Sequence, residues 1–432
     1  DRLALWGLTP KCQSIFTKGK EIMTNFYDDL ETRSAQQREA DQIAAVAAQV
    51  AHAKASCSAW ADILADVDAA DINSAEAIAQ LPVTRKSALI ELQKDKMPFG
   101  GMVDASGAHM NYVFTSPGPI YEPGFDVPDA WRFARALHAG GLRRGDLVQN
   151  CFSYHFTPAG AMFDNAAKEI GCTVIAAGVG NTEMQAQSFH NLKPTAYIGT
   201  PSFLKIILEK ADELGLDASS VTKAVVGGEP FLPPLQAFFK ERGIQVLQGY
   251  ATADLGNIAY EVPGAAGMLL DEGIYLEIVR PGTGDPVAPG EVGEIVVTTF
   301  NAHYPLIRFA TGDMSAFMDG ESPCGRTSKR IKGWMGRADQ STKVRGMFVR
   351  PEQVAELAGK HDEIGKIRLS VDQADGKDSL LVACETDNPS DALLAAVTDN
   401  VRNVIHLRGD VQLVAVNSLP NDGKVIDDKR QF

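Results

Sequence analysis

Positive charge is in short supply in this 432-residue chain: 41 lysines and arginines stand against 55 aspartates and glutamates, a formal net charge of −14. An acidic surface repels nucleic acid and anionic lipid, so the balance excludes nonspecific binding to either and leaves room only for a local basic site. Cysteine is sparse as well. The six, Cys12, Cys57, Cys151, Cys172, Cys324 and Cys384, form no CxxC pair, which excludes a disulfide framework and a zinc knuckle and fits a reducing, cytoplasmic setting. No apolar run approaches the roughly 20 residues of a membrane span, and "LALWGL" near the start lacks the cleavage pattern of a signal peptide. The GxSxG, HExxH and GK[ST] motifs are missing, and "GVGNTE" (178–183) lacks the third glycine of a dinucleotide fingerprint.

What is present is the composition of a globular protein, 45% hydrophobic and 22% charged, long enough for two or three domains. "MTNFYDDLETRS" from Met23 reads as a natural start, so residues 1–22 are expected to be an extension outside the fold. Residues 34–57 carry Ile43, Val46 and Val50 at helical spacing without Gly or Pro, which predicts an amphipathic helix. From 129 onward helices alternate with the short apolar runs "LVQNCF", "CTVIAAG", "AYIG", "KAVVGG" and "IQVLQG". That alternation predicts βαβ units and a parallel sheet, with ligands at the carboxyl ends of its strands. After about residue 265 strands follow one another without helices, and beyond 336–340 comes a small α+β segment. The expected fold is therefore α/β: a large domain over 23–338, with parallel-sheet βαβ units and a β-rich section, and a small α+β domain over 339–432.

Several loops carry candidate chemistry, and each alone has a plain structural explanation. "VVGGEPFLPP" (225–234) would let a flat ligand approach the backbone, as would any strand-to-helix turn. "QGYATADLG" (248–256) offers Tyr250 as an aromatic wall and Asp254 as a carboxylate for Mg²⁺, or as a helix cap. In "PLIRFATGD" (305–313) Asp313 can accept from a ribose diol or simply form a turn. Arg337 and Asp339 sit at the expected boundary, and Lys424 in "NDGKVIDDKR" stands on a Gly turn near the chain end. "FTSPGPIYEPG" (114–124) has the density of Gly, Ser and Pro of a tight loop, with Glu122 where a phosphate grip would want a lysine.

Together these stretches resemble the adenylate-forming superfamily of acyl-CoA synthetases, most closely its phenylacetate-CoA ligase branch. The resemblance runs from about Tyr27 onward and is most specific in "PLIRFATGD", "CGRTSKRI" and "GRADQSTKVRGMFVRP". It implies an AMP-forming acid-CoA ligase that uses ATP, Mg²⁺ and coenzyme A. The carboxyl-terminal domain would be a lid that rotates between the two half-reactions. It implies that Gly227, Gly228, Glu229 and Pro230 line the adenine pocket, with Ala251 and Thr252 beside it, and that Tyr250 stacks on the base. Asp313 would take the ribose hydroxyls with Arg337 beside it, Asp254 would serve Mg²⁺, Asp339 would be the hinge and Lys424 the adenylation lysine. Tyr154, His155 and Phe156 would wall the acyl pocket, and a homodimer is suggested.

The chain also departs from the pattern. Ala310 replaces an arginine before "TGD", and the tail after Lys424 is short. Cys324, with Val262 and Leu269 where partners would stand, cannot make a zinc site, so no zinc is expected. In the phosphate loop Ser116 and Gly118 match, but Pro119, Ile120, Tyr121 and Glu122 replace two threonines, a glycine and the lysine, removing most of the phosphate-holding groups. Two readings follow. The first is an ATP-dependent ligase for an aryl, phenylacetate-like acid. The alternative is a ligase-like nucleotide or acyl-CoA binding protein whose degenerate loop has weakened or abolished adenylation.

Overall fold

The computed structural model describes residues 26–430, apart from 105, 107, 108, 117, 118, 339, 341, 345, 346, 375 and 376. The expected extension 1–22, the loop glycine Gly118 and the hinge residue Asp339 thus lie outside the described residues.

The first long helix, Ala35–Ser56, begins at Ser34, whose hydroxyl accepts from the backbone N–H of Gln37 at 3.1 Å. It turns Val46, Val50 and Ala53 inward onto a core shared with Trp60 and the strands at 274–279 and 293–299. The alternation after residue 129 folds as a nine-stranded sheet. Thr173–Ala176, Leu147–Asn150, Ala196–Gly199, Lys223–Val226 and the start of Gln245–Thr252 lie side by side in parallel. Antiparallel strands Gly256–Tyr260, Met268–Leu270, Arg330–Ile331 and Phe317–Met318 extend it. The three central parallel strands are almost wholly buried because helices cover both faces. Pro201 at the first turn and the stripe Leu204, Ile207, Leu208 and Ala211 explain why Pro201–Glu213 forms one of those covers.

A second sheet is built in the order Thr84–Arg85, Phe309–Ser315, Gly293–Thr299, Ile274–Val279. The pairing of Phe309–Ser315 with Gly293–Thr299 carries the site. Met314 pairs with Glu294 and Ala310 with Val296, so the residues 311 to 313 oppose Ile295 alone and bulge out of the ladder. Gly312 takes φ +74 there, and a Cβ on it would stand 2.7 Å from the Arg337 guanidinium.

Further along, residues between Val344 and Ile426 enclose a hydrophobic core of their own around the sheet Asp410–Val414, Lys377–Glu385, Ile367–Ala374, Ile426–Asp428. The run "TKVRGMFV" forms two antiparallel strands, Thr342–Val344 and Met347–Val349. A correction concerns 114–124. Instead of an open loop, Met110–Ser116 and Ile120–Phe125 pair as a hairpin, with Phe114, Ser116, Ile120 and Glu122 all buried. Alternating positions of two paired strands share a face, and this one is turned into the protein.

The strand that presents Asp313 is anchored at its base by Arg308, which is 1% exposed. Its guanidinium holds Glu277 through two bonds of 2.9 and 3.0 Å and donates to the carbonyls of Ala79, Leu81 and Gly284. Burial pushes Glu277 up, and the hydrogen bond and charge of Arg308 pull it back. Arg308→Leu would strand that carboxylate in the core, so chemical denaturation should show a loss of about 3–5 kcal/mol. A loss under about 1 kcal/mol would mean that the pair is no stronger than a surface ion pair.

Candidate functional site

Three elements meet at Asp313. The Tyr250 hydroxyl, at the end of the strand Gln245–Thr252, donates to Asp313 Oδ2 at 2.9 Å. From the segment after Arg330–Ile331, the Trp334 ring N–H donates to Oδ1 at 3.0 Å and Arg337 Nη1 to the same oxygen at 2.9 Å. The Thr311 hydroxyl accepts the backbone N–H of Asp313 at 3.1 Å, which fixes the bulge. Asp313 is nearly buried, while two of its three donors are exposed, the Arg337 side chain to 53% and Trp334 to 52%. Burial first, and then the Asp313 charge, raise the Tyr250 hydroxyl well above the usual tyrosine range, so it stays a donor.

Beside this carboxylate lies a cavity of about 520 Å³. Of the residues expected around the nucleotide, Gly228, Glu229, Pro230, Tyr250, Ala251 and Asp313 line it, together with Gln248, Met268, Lys332 and Trp334. Gly227 and Thr252 do not line it: Gly227 sits against the carbonyl of Gly249, and Thr252 uses its hydroxyl to accept the N–H of Leu255. Glu229 ties its own loop to the first turn of the helix Pro201–Glu213 by accepting the N–H of Ser202 at 2.6 Å.

The other expected residues are placed elsewhere. Lys424 is 48% exposed at its side chain, pairs with Asp427 at 3.0 Å, and borders a groove with Arg280, Lys366 and Arg368 instead of the Asp313 cavity. The backbone on both sides of it is held by Gln340, which donates to the Gly423 carbonyl and accepts the N–H groups of Val425 and Ile426. Tyr154 is half-buried with its hydroxyl on Asn150 at 2.9 Å, whereas His155 and Phe156 are exposed, Phe156 to 80% with φ +58. None of the three lines the Asp313 cavity, because their loop turns toward the hairpin instead, Thr115 donating its N–H to the Phe156 carbonyl.

Asp254 stands in the tight turn between Gln245–Thr252 and Gly256–Tyr260, not at a helix start. Its Oδ2 accepts from Lys86 Nζ at 2.8 Å, while Oδ1 is buried without a partner among the described residues. Lys86 opens the helix Lys86–Asp95, just after the short strand that pairs with Phe309–Ala310, so the sheet itself carries its ammonium to this turn. Glu122 is the surprise. It does not face an open phosphate site; it is 2% exposed, accepts from the Ser116 hydroxyl at 2.5 Å, and lies against Asp254. Ser116, expected to hold phosphate, is thereby used up inside the hairpin. Burial and then the Asp254 carboxylate push Glu122 up to about 8, against the pull of Ser116 and Lys86. Two carboxylates sharing one ammonium keep one excess negative charge, which a proton or a cation can neutralise. Lys86, Trp334 and the inward turn of Glu122 had no motif to mark them in the sequence.

A carboxyl group whose pKa is raised on folding holds a proton that the unfolded chain has already released. The stability it contributes is full below the unfolded value and is lost as pH rises through about 8. Denaturant midpoints of the wild type should therefore fall relative to those of Glu122→Gln between about pH 5 and about pH 9. Parallel curves over that range would contradict the placement of Glu122.

Comparison with known proteins gives the site its context. Residues 133–302 match the AMP-binding enzyme family model. The chain is 29% identical over 331 residues to a phenylacetate-coenzyme A ligase of Aromatoleum evansii, covering 73% of each chain. It is 30% identical over 315 residues to the phenylacetate-coenzyme A ligase of Escherichia coli (strain K12), covering 67% of this chain and 70% of that one. Among solved structures, an open conformation of a 2-hydroxyisobutyryl-CoA ligase in complex with 2-HIB-AMP and CoA superposes with a TM-score of 0.69 at 24% identity, over 90% of this chain and 91% of that one. The fold of the large sheets and the small carboxyl-terminal sheet is thus that of a known CoA ligase. By its sequence the chain belongs to the AMP-binding, adenylate-forming enzymes, on their phenylacetate-CoA ligase-like branch.

Proposed function

We propose that this protein is an ATP-dependent, AMP-forming acid-CoA ligase acting on an aryl acid of the phenylacetate type. The observation that carries the reading is Asp313, presented by a bulge at the wall of a cavity of about 520 Å³ and held by Tyr250, Trp334 and Arg337. A carboxylate has about four lone-pair sites, three of them already used here. A ribose diol needs two, so the exposed Arg337 yields its place to the ligand and turns its charge toward the phosphates. Gly228 and Pro230 leave room for the base against Tyr250. The aryl acid is suggested by the phenylacetate-coenzyme A ligases to which the chain is similar.

In the first half-reaction a carboxylate oxygen of the acid attacks the α-phosphorus and pyrophosphate leaves. In the second, the CoA sulfur attacks the acyl carbonyl, AMP leaves, and the thiol proton passes to solvent. Two anions must meet in the first step, and a cation between them relieves their repulsion. Lys424 suits that task once the carboxyl-terminal segment turns about Asp339 to bring it from its pairing with Asp427. This segment from 339 on is the lid, and the body over 23–338 holds the nucleotide. Asp254, whose buried Oδ1 lacks a partner among the described residues, fits a role as Mg²⁺ ligand. The ion would supply charge neutralisation at the phosphates. A homodimer in the cytoplasm is the setting we expect for this enzyme.

Incubation with ATP, Mg²⁺, CoA and a panel of aryl acids should yield AMP and an acyl-CoA thioester; no product with any acid, despite AMP binding, would leave a binding protein instead. Asp313→Ala should raise the KM for ATP about 10- to 100-fold, the worth of a charge-assisted hydrogen bond, and an unchanged KM would remove Asp313 from the site. Lys424→Ala should cripple adenylation and spare thioester formation from supplied acyl-adenylate. Equal loss in both halves would show that Lys424 has another role.

A further inference from the structure

The lone pairs of Asp313, about two on each oxygen, are filled unevenly. Among the described residues Oδ2 accepts only from Tyr250, which leaves one site open, whereas Oδ1 accepts from both Trp334 at 3.0 Å and Arg337 at 2.9 Å. A diol brings two donors, so one occupant of Oδ1 has to leave when it binds. The backbones of both are tied to the strand Phe309–Ser315 that carries Asp313. The Ser315 hydroxyl donates to the Gly333 carbonyl at 2.7 Å, Met335 donates its N–H to the Met314 carbonyl at 2.9 Å, and Ala338 donates its own to the Gly312 carbonyl at 2.7 Å. Only the side chains are left to move, and they differ. The indole is a rigid ring on a short stem, and a neutral N–H that left Oδ1 would exchange a charge-assisted bond for one to water. Arg337 bears its charge on a long, flexible stem whose other contact is the Thr311 carbonyl at 3.5 Å. A triphosphate offers that charge a stronger partner than either.

We infer that Trp334 is a positioning residue that couples ribose seating to phosphate binding: it stays on Oδ1, so the diol displaces Arg337 and sends its charge to the phosphates. With Arg337 gone, each oxygen of Asp313 keeps one neutral protein donor, Trp334 on Oδ1 and Tyr250 on Oδ2. Each then has one open site, which matches the two hydroxyls of a ribose. Without the indole, Oδ1 would have room for Arg337 and a hydroxyl together, and the arginine would remain where it is. Trp334 thus decides which donor the nucleotide evicts. The inference rests on the reading of Asp313 as the ribose acceptor, and it gives Trp334 a task beyond holding the empty site.

The test is a pair of binding titrations on the full chain, one with ATP and Mg²⁺ and one with adenosine, which has the diol and no phosphate. Trp334→Phe keeps an aromatic ring and removes the donor. It should weaken ATP binding by about 10-fold, as should Arg337→Ala, the worth of a charge-assisted hydrogen bond. The double variant should also lose about 10-fold, not about 100-fold, because both changes remove the same contact between arginine and phosphate. Adenosine has nothing to offer the displaced arginine, so it should bind either variant at least as tightly as the wild type. Losses that multiply for ATP, or an adenosine loss equal to the ATP loss, would overturn the inference and leave Trp334 a mere wall of the cavity. Nuclear magnetic resonance of the wild type gives a second reading. Among the indole N–H signals of its four tryptophans, the one missing in Trp334→Phe should stay downfield and protected from solvent exchange when ATP binds. Its shift to the position of a water-exposed indole would mean that Trp334 leaves instead of Arg337, and would overturn the inference as well. The expected binding pattern in a protein that activates no acid would sink the ligase reading and leave this coupling in place. Acid activation with ATP binding indifferent to Trp334→Phe would do the reverse.

Discussion

The three-donor hold on Asp313 is the interaction on which the rest of this molecule depends. Tyr250 comes from the nine-stranded sheet, Asp313 from a bulge in the four-stranded sheet, and Trp334 and Arg337 from the segment that leads toward the carboxyl-terminal core. One carboxylate thus ties together both large sheets and the approach to the carboxyl-terminal core. The bulge makes this geometry available: without the extra residues opposite Ile295, the strand Phe309–Ser315 would keep Asp313 in its ladder. Arg308 at the base of that strand, buried with Glu277, gives the bulge a rigid foundation.

Lys86 forms a second junction. It follows the strand Thr84–Arg85, which runs parallel beside Phe309–Ala310, and reaches the turn of Asp254 on the other sheet. The cation of the first layer and the carboxylate of the second are therefore held at 2.8 Å by two sheets whose mutual packing is fixed by a common core. Glu122 joins this pair from a third element, the hairpin. A position that by resemblance belongs to a phosphate-holding loop has become part of a buried acid–base cluster, and the hydroxyl of Ser116 serves the glutamate instead of a ligand.

The parts of this structure that were legible in the sequence are those set by local periodicity. Strand and helix alternate from 147 to 252 because short, mostly apolar runs alternate with amphipathic helices, and a chain with that rhythm has few ways to bury both. The strands after 265 and the carboxyl-terminal helix at Pro351 follow from the same kind of signal. Asp313 and Tyr250 could be named because each lies in a distinctive motif. Lys86 and Asp254 are 168 positions apart, and nothing in the pattern around "TRKSAL" announces the pairing. The hairpin was hidden for a different reason: Pro and Gly read as loop residues, while the alternation of Phe114, Ser116, Ile120 and Glu122 includes two polar side chains, so its buried face does not look apolar. Lys424 shows the limit of motif reading, since the position on the chain is marked but the orientation of the segment that bears it is not.

The account stands on the claim that this cavity joins an acid to the α-phosphate of ATP. Exchange of labelled pyrophosphate into ATP, with and without an aryl acid, reads that step alone. The account predicts exchange that requires the acid and proceeds without CoA. Exchange absent with every acid tested, in a protein that binds ATP, would contradict it.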